Sequence, residues 1–352
     1  IKSGVLVDHP GARKIHKTVT PNTGGIAIAI SFFCSIALGC LLFRHELQES
    51  ISYLTGLSIG ALIVLLVGIW DDMRGLEASY KTIGQIAAVL ALMPFGLVIR
   101  ELNIPFVGVV SIEPWLGISL TLFWIVGIMN TLNFVDGIDG LAAGVTITIL
   151  FALSVISIVT NQLLMVIVCI ILAGSVVGFL RYNFPPASIF MGDCGAMFLG
   201  FVLAVISTKV IFQNPQITAN STVPVLIFGL PILDTTWAIV RRLKKRRSPF
   251  KADILHTHHR LVNIGFTQRQ AAFTLYAASL LSVMAGLAIV FAGSDKLAIA
   301  ILASMLVIAL VGIAVLSRLS SFLEIPKPGI APTNPDKSLS ETLTRKEIST
   351  RL

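Results

Sequence analysis

The chain has 352 residues, 55% of them hydrophobic and only 12% charged, with a formal net charge of +8 and a mean hydropathy of +0.89. A soluble domain carries about twice that charged fraction, so a soluble globular protein is excluded. Apolar runs of roughly 18 residues or more recur along the whole length, each able to cross a bilayer core, and none alternates in polarity as a barrel strand would. The spans are therefore helices, which satisfy their own backbone groups in lipid. The fold class is all-α, a polytopic integral membrane protein.

In chain order, a loop-like opening, IKSGVLVDHPGARKIHK, precedes about ten transmembrane helices. They are expected at 24–43, 51–70, 83–99, 115–132, 141–159, 163–180, 196–212, 223–240, 271–291 and 297–316. Residues 1–320 are expected to form one transmembrane domain, with no internal repeat. Residues 321–352 are polar and proline-bearing and are expected to be a disordered cytoplasmic tail. Cys34, Cys40, Cys169 and Cys194 form no CxxC pair and sit in or near spans, so they are expected to be reduced and structural.

Basic residues set the orientation. Of the 26 Lys and Arg, all but Arg44, Arg100, Lys209 and Lys296 fall on one side of the ten-span arrangement. That side is cytoplasmic by the positive-inside rule. The net charge is then topology and attraction to anionic lipid, not a nucleic-acid footprint.

The unusual polar residues gather on that same side. GIWDDMRG after the second span carries Asp71 and Asp72. NTLNFVDGIDGLAAG after the fourth carries Asn133, Asp136 and Asp139. FMGDCGAMFLG before the seventh carries Asp193, and HTHHR after the eighth carries His256, His258 and His259. Each piece has an ordinary reading: an acidic pair caps a helix or marks its exit from lipid, and Asp193 between Gly192 and Gly195 suits an N-cap. Five acids in three loops run against the charge bias of that face, however. They suit a hard cation such as Mg²⁺, which takes one or two carboxylates and keeps room for substrate phosphates. Three histidines also suit Zn²⁺, though no cysteine lies near. A cation and a basic loop at a membrane boundary point to phosphoryl transfer with a membrane-borne substrate.

DHPGARKIHKTVTPNTGG, the DD pair, NTLNFVDGIDGLAAG, FMGDCG and HTHHR stand in the order found in the polyprenyl-phosphate N-acetylhexosamine-1-phosphate transferases. The chain resembles that family over about residues 7–272. RRLKKRRSPFKADILHTHHRLVNIGFTQRQA is most similar to the bacterial branch that makes undecaprenyl-diphosphate-GlcNAc. The resemblance implies transfer of a sugar-1-phosphate, GlcNAc-1-phosphate first, from a UDP-sugar to undecaprenyl phosphate with release of UMP. It implies Mg²⁺ or Mn²⁺ as cofactor and the bacterial cytoplasmic (inner) membrane, with the site facing the cytoplasm. The reaction would open cell-envelope polysaccharide synthesis. Asp71, Asp72 and Asp193 match catalytic acids, Asp193 and Asp72 being the metal ligands. Lys17, Asn133, Asp136, Asp139, His256, His258 and His259 match substrate-binding positions. No base is required, because a phosphate monoester with a second pKa near 6 is already largely ionised at neutral pH. Most relatives carry a helix ahead of the RKIH loop, so one more helix is expected there. Homodimerisation stays open.

Two departures narrow the donor. The related muramyl-pentapeptide transferases carry three histidines followed by an acid, whereas here the motif is His-Thr-His-His-Arg. UDP-GalNAc is the nearer alternative. From another class, an anion transporter would place ionisable groups near the bilayer midplane, and the interiors of these spans almost lack acids.

Overall fold

The computed structural model describes residues 6–8, 19–43, 48–214, 217, 219–244, 246 and 256–322. Lys17 and the expected tail beyond Phe322 lie outside them. Among the described residues are twelve α-helices: α1 Gly24–Leu42, α2 Ile51–Arg74, α3 Ala78–Leu90, α4 Pro114–Val135, α5 Leu141–Val159, α6 Leu163–Asn183, α7 Gly192–Ser207, α8 Val223–Ile227, α9 Gly229–Lys244, α10 Thr257–Asn263, α11 Gln268–Ala292 and α12 Asp295–Phe322. α7 runs on into a π-helical turn, Thr208–Phe212. Eight helices are long and apolar enough to cross a membrane, so the chain is an all-α, multi-pass membrane protein.

The other two expected spans take different forms. α3 has 13 residues, about 20 Å of helix, too short for a hydrocarbon core of about 30 Å. The chain goes on as irregular backbone through Leu92, Leu97 and Ile99, all buried. Such backbone survives at membrane depth only when protein covers it and satisfies it. Here the Thr121 hydroxyl accepts from the Ile99 amide at 2.9 Å, and Gln213 Nε2 donates to the carbonyls of Gly96 and Val98 at 2.9 and 3.0 Å. The eighth span is broken at Phe228, between α8 and α9. Pro231 lacks the amide that would continue the ladder back to Ile227, and the Ser282 hydroxyl donates to the Leu226 carbonyl at 2.6 Å.

Two small hairpins also stand outside the all-α expectation. β1 Val7–Asp8 pairs antiparallel with β2 Thr20–Pro21, Val7 opposite Pro21. β3 Glu101–Ile104 pairs with β4 Gly108–Ser111, Glu101 opposite Ser111. The second hairpin is tied to neighbouring segments where the Asn103 amide donates to Asn220 Oδ1 at 2.7 Å and the Phe106 amide to Asp295 Oδ2 at 2.9 Å.

α7 is the axis of the bundle. All but its first two residues are buried, against α1, α2, α4 and α5. Small residues allow the approach, as in other membrane bundles. A Cβ on Gly25 of α1 would lie 2.2 Å from the Gly195 amide nitrogen, and one on Gly68 of α2 would lie 2.3 Å from the Cα of Cys194. All four cysteines are free thiols. α11 starts on a capping box, the Gln270 amide donating to Thr267 Oγ1 and the Thr267 amide to Gln270 Oε1.

The glycine contacts make a direct stability prediction. Gly25→Ala should lower the thermal midpoint of the detergent-solubilised protein sharply, by about 1–3 kcal/mol of overpacking or more. Gly39→Ala, on the same helix with open space around it, should leave the midpoint unchanged or raise it. Equal behaviour of the two variants would contradict the packing.

Candidate active site

The site is built on the N-terminus of α7. The first amides of a helix have no partner within it. α7 receives its partner from another helix: Asp72, in the last turn of α2, accepts from the Asp193 amide at 2.8 Å through Oδ1 and from the Cys194 amide at 3.0 Å through Oδ2. Asn22, just after β2, donates to the same Oδ1 at 3.0 Å. Gly192 has φ +75°, and a Cβ there would stand 2.7 Å from both Asp72 Oδ2 and Asn22 Oδ1. The ordinary reading of Asp193 as the N-cap of this helix is therefore corrected. Asp193 sits inside the first turn, and Asp72 does the capping from across the bundle.

With its backbone held, Asp193 points its carboxylate outward, 40% exposed. Asn133 Nδ2, near the end of α4, donates to Asp193 Oδ1. Lys81 Nζ, in the first turn of α3, stands 3.3 Å from Asp193 Oδ2 and 2.7 Å from Asp71 Oδ2. The other Asp71 oxygen accepts from the Leu76 amide at 2.7 Å. One turn deeper, Asn130 Nδ2 donates to Gln85 Oε1 at 3.0 Å. Lys81 and Gln85 are four residues apart on α3, and Asn130 and Asn133 three apart on α4, so two polar layers stack on matching faces. In the sequence Lys81 is one of the many basic residues of the cytoplasmic side, and Gln85 belongs to no motif. The available signal was their spacing of four residues, with Gln85 inside the segment expected to be apolar and Lys81 just before it.

The loop after α4 closes the site. Its half-buried Asp136 has a carboxyl pushed up to about 7, by burial first and then by the negative charges of Asp193, Asp72 and Asp139. Asp139 Oδ2 accepts from the Ala187 amide at 2.9 Å, so this carboxylate ties its loop to the segment before α7. Gly140, φ +76°, donates its amide to Asn183 Oδ1 at 2.9 Å and accepts at its carbonyl from the Tyr276 hydroxyl at 2.6 Å.

The histidine segment lies over this loop. His256 Nδ1 is 2.8 Å from Asp234 Oδ2. The His256 ring stacks on Phe134 at 5.5 Å, 25° from parallel, and on His258 at 5.8 Å, 3° from parallel. His259 leans on His258 at 4.2 Å. A Cβ on Gly137 would stand 2.1 Å from His258 Nε2, so only glycine admits this imidazole. Burial above all, then the charge of His259, drives the His258 pKa down to about 3, leaving the ring neutral. The structure thus gathers Asp71, Asp72, Asn133, Asp136, Asp193 and His258 into one region. It turns Asp139 toward Ala187 and His256 toward Asp234. Among the described residues, no three His, Cys, Asp or Glu side chains form a ready cage for a metal.

The charge crowding at Asp136 has a consequence in pH. Its carboxyl keeps the proton to about pH 7 when folded but only to about 4 when unfolded. Its contribution to stability is therefore present below about pH 4 and lost as pH rises through about 7. In chelator-treated protein the thermal midpoint should fall between about pH 5 and about pH 8, and Asp136→Asn should shrink that fall. Identical falls in the two proteins would contradict the crowding.

Comparison with known proteins gives this constellation a family. The description "Glycosyl transferase family 4" matches residues 54–211, from α2 through α7. The chain is 33% identical over 276 residues to a probable undecaprenyl-phosphate N-acetylglucosaminyl 1-phosphate transferase of Bacillus subtilis (strain 168), covering 78% of this chain and 75% of that protein. It is 35% identical over 293 residues to a decaprenyl-phosphate N-acetylglucosaminephosphotransferase of Mycobacterium leprae (strain TN), covering 77% and 73%. It is 29% identical over 288 residues to an undecaprenyl-phosphate alpha-N-acetylglucosaminyl 1-phosphate transferase of Escherichia coli (strain K12), covering 79% and 75%. The chain belongs to glycosyl transferase family 4 and is a membrane enzyme of the phosphoglycosyl transferase type.

Proposed function

We propose that the protein transfers GlcNAc-1-phosphate from UDP-GlcNAc to undecaprenyl phosphate at the cytoplasmic face of a bacterial inner membrane. The observation that carries this reading is the exposed Asp193 carboxylate. It stands at the mouth of an apolar bundle between Lys81 and Asn133, with Asp71, Asp72 and Asp136 around it. A phosphate oxygen of the lipid attacks the sugar-bearing phosphorus of the donor. The bond from that phosphorus to the bridging oxygen of the diphosphate breaks, and UMP leaves with the bond electrons. The lipid phosphate enters already ionised, so the carboxylates position reactants rather than abstract a proton.

A divalent cation fits this donor set. Asp193 offers an outward carboxylate, while Asp72 has two amides and Asn22 on its oxygens and keeps lone pairs chiefly on Oδ2. Asp193 is thus the principal ligand and Asp72 the secondary one, with substrate phosphates filling the remaining positions. Bound there, Mg²⁺ or Mn²⁺ neutralises charge on the transferring phosphoryl group. Lys81 holds Asp71 and Asp193 close together despite their like charge. The loop with Asp136 and Asp139, roofed by His258, takes the nucleotide half, and the motif resemblance assigns Lys17 to the same half. The basic residues that the span order assigns to the side bearing these motifs support the cytoplasmic orientation. The histidine motif without a following acid favours GlcNAc over a muramyl-pentapeptide.

The reading is tested with labelled UDP-GlcNAc and undecaprenyl phosphate in sealed membrane vesicles. Inverted vesicles should yield labelled lipid directly, and right-side-out vesicles only after permeabilisation. Asp193→Asn should lower the yield by at least about 10²–10³-fold while the protein still folds and inserts. Labelled lipid at wild-type levels from Asp193→Asn, or label accepted only from UDP-GalNAc, would contradict it.

A further inference from the structure

Asp234 lies in LPILDTTW, an apolar stretch of α9, and its side chain is only 7% exposed. A buried carboxylate is costly unless its lone pairs are used. Three hydrogen bonds reach it from two residues of the histidine segment: His256 Nδ1 at 2.8 Å, the Thr257 amide at 2.8 Å and the Thr257 hydroxyl at 2.5 Å. Asp234 therefore fixes both the His256 ring and the start of α10. From there the contacts run in one direction. The His256 ring, held edge-on by Asp234, lies nearly parallel to His258. His258 lies against Gly137, next to Asp136. His258 Nε2 is buried with no hydrogen-bond partner among the described residues, a cost that a bound acceptor or donor would relieve.

We infer that Asp234 is the positioning residue of the histidine segment, holding His258 over the Gly137 loop through His256, so that His258 Nε2 is presented to the sugar-nucleotide. This rests on the donor reading above. It also divides the three histidines: His256 serves the scaffold and touches no substrate, and His258 meets the donor. The link is invisible in motif order, because Asp234 stands 22 residues before His256 on a different helix.

The test uses the full chain in detergent, with Asp234→Asn, His256→Gln and the double variant, each checked for folding by its thermal midpoint. His256→Gln cuts the same link from the other side, so it decides the matter if Asp234→Asn does not fold. The first readout is the rate at which diethyl pyrocarbonate modifies His258, followed by mass spectrometry of the peptide. The wild type should react slowly and either single variant about tenfold or more faster. The second is steady-state UMP release. Either single variant should lose about 10–100-fold in kcat/KM for UDP-GlcNAc, through KM, because a displaced group near the substrate costs on this scale. KM for undecaprenyl phosphate should stay within about twofold, and the double variant should be no worse than the poorer single one. Unchanged His258 reactivity, equal losses for both substrates or additive losses in the double variant would overturn the inference. A wild type that releases no UMP from UDP-GlcNAc would sink the donor reading alone, and His258 reactivity would still decide the role of Asp234.

Discussion

The capping of α7 by Asp72 is the interaction on which the rest of the structure depends. α7 is enclosed by four other helices, and Cys194, which bears one of its first amides, is fully buried. Leaving such a donor unpaired costs about 1–3 kcal/mol. One carboxylate from α2 satisfies two of them and fixes the register between the two helices. The close contact at Gly68 follows from that register, since this glycine of α2 faces Cys194, while Gly25 brings α1 against the same turn at Gly195. So does the outward aim of Asp193, whose own amide is one of the two that Asp72 holds. The fold and the chemistry thus share a single joint, at the boundary where a lipid phosphate and a soluble nucleotide can meet.

Charge explains the rest of the site. Lys81 pairs with Asp71 and Asp193, and after burial it is the negative charge of Asp193, Asp72 and Asp139 that holds the Asp136 proton to about 7. A site with that surplus repels a diphosphate unless a cation accompanies it. The carboxylates make sense as partners of a metal–diphosphate complex, and the neutral His258 adds no charge of its own. The second layer, Gln85 with Asn130, keeps α3 and α4 in register so that Lys81 and Asn133 grip opposite oxygens of Asp193.

The sequence made the class of fold legible because hydropathy reports length and polarity, and eight spans satisfy both. It missed the short α3 and the break at Phe228 for the same reason. An apolar run looks alike whether the backbone is helical, irregular or broken, and the hydrogen bonds that rescue it come from Thr121, Gln213 and Ser282 on distant segments. The grouping of Asp71, Asp72, Asp136 and Asp193 was legible from loop order. Their division of labour was not, because it depends on which amides each oxygen reaches: Asp72 caps a helix 121 residues away, and Asp139 turns to Ala187. Lys81 is one of many cations at a membrane edge, and Asp234 belongs to no motif that the sequence order picks out.

The central claim is that this carboxylate cluster, with Asp193 as its outward ligand, is a divalent-cation site completed by the donor diphosphate. The most direct measurement is Mn²⁺ titration of the purified protein in the presence of UDP, followed by electron paramagnetic resonance of the free ion. The account predicts one bound Mn²⁺ per chain in the wild type, and loss of that binding in a folded Asp193→Asn variant. Equal Mn²⁺ binding by the two proteins would contradict it.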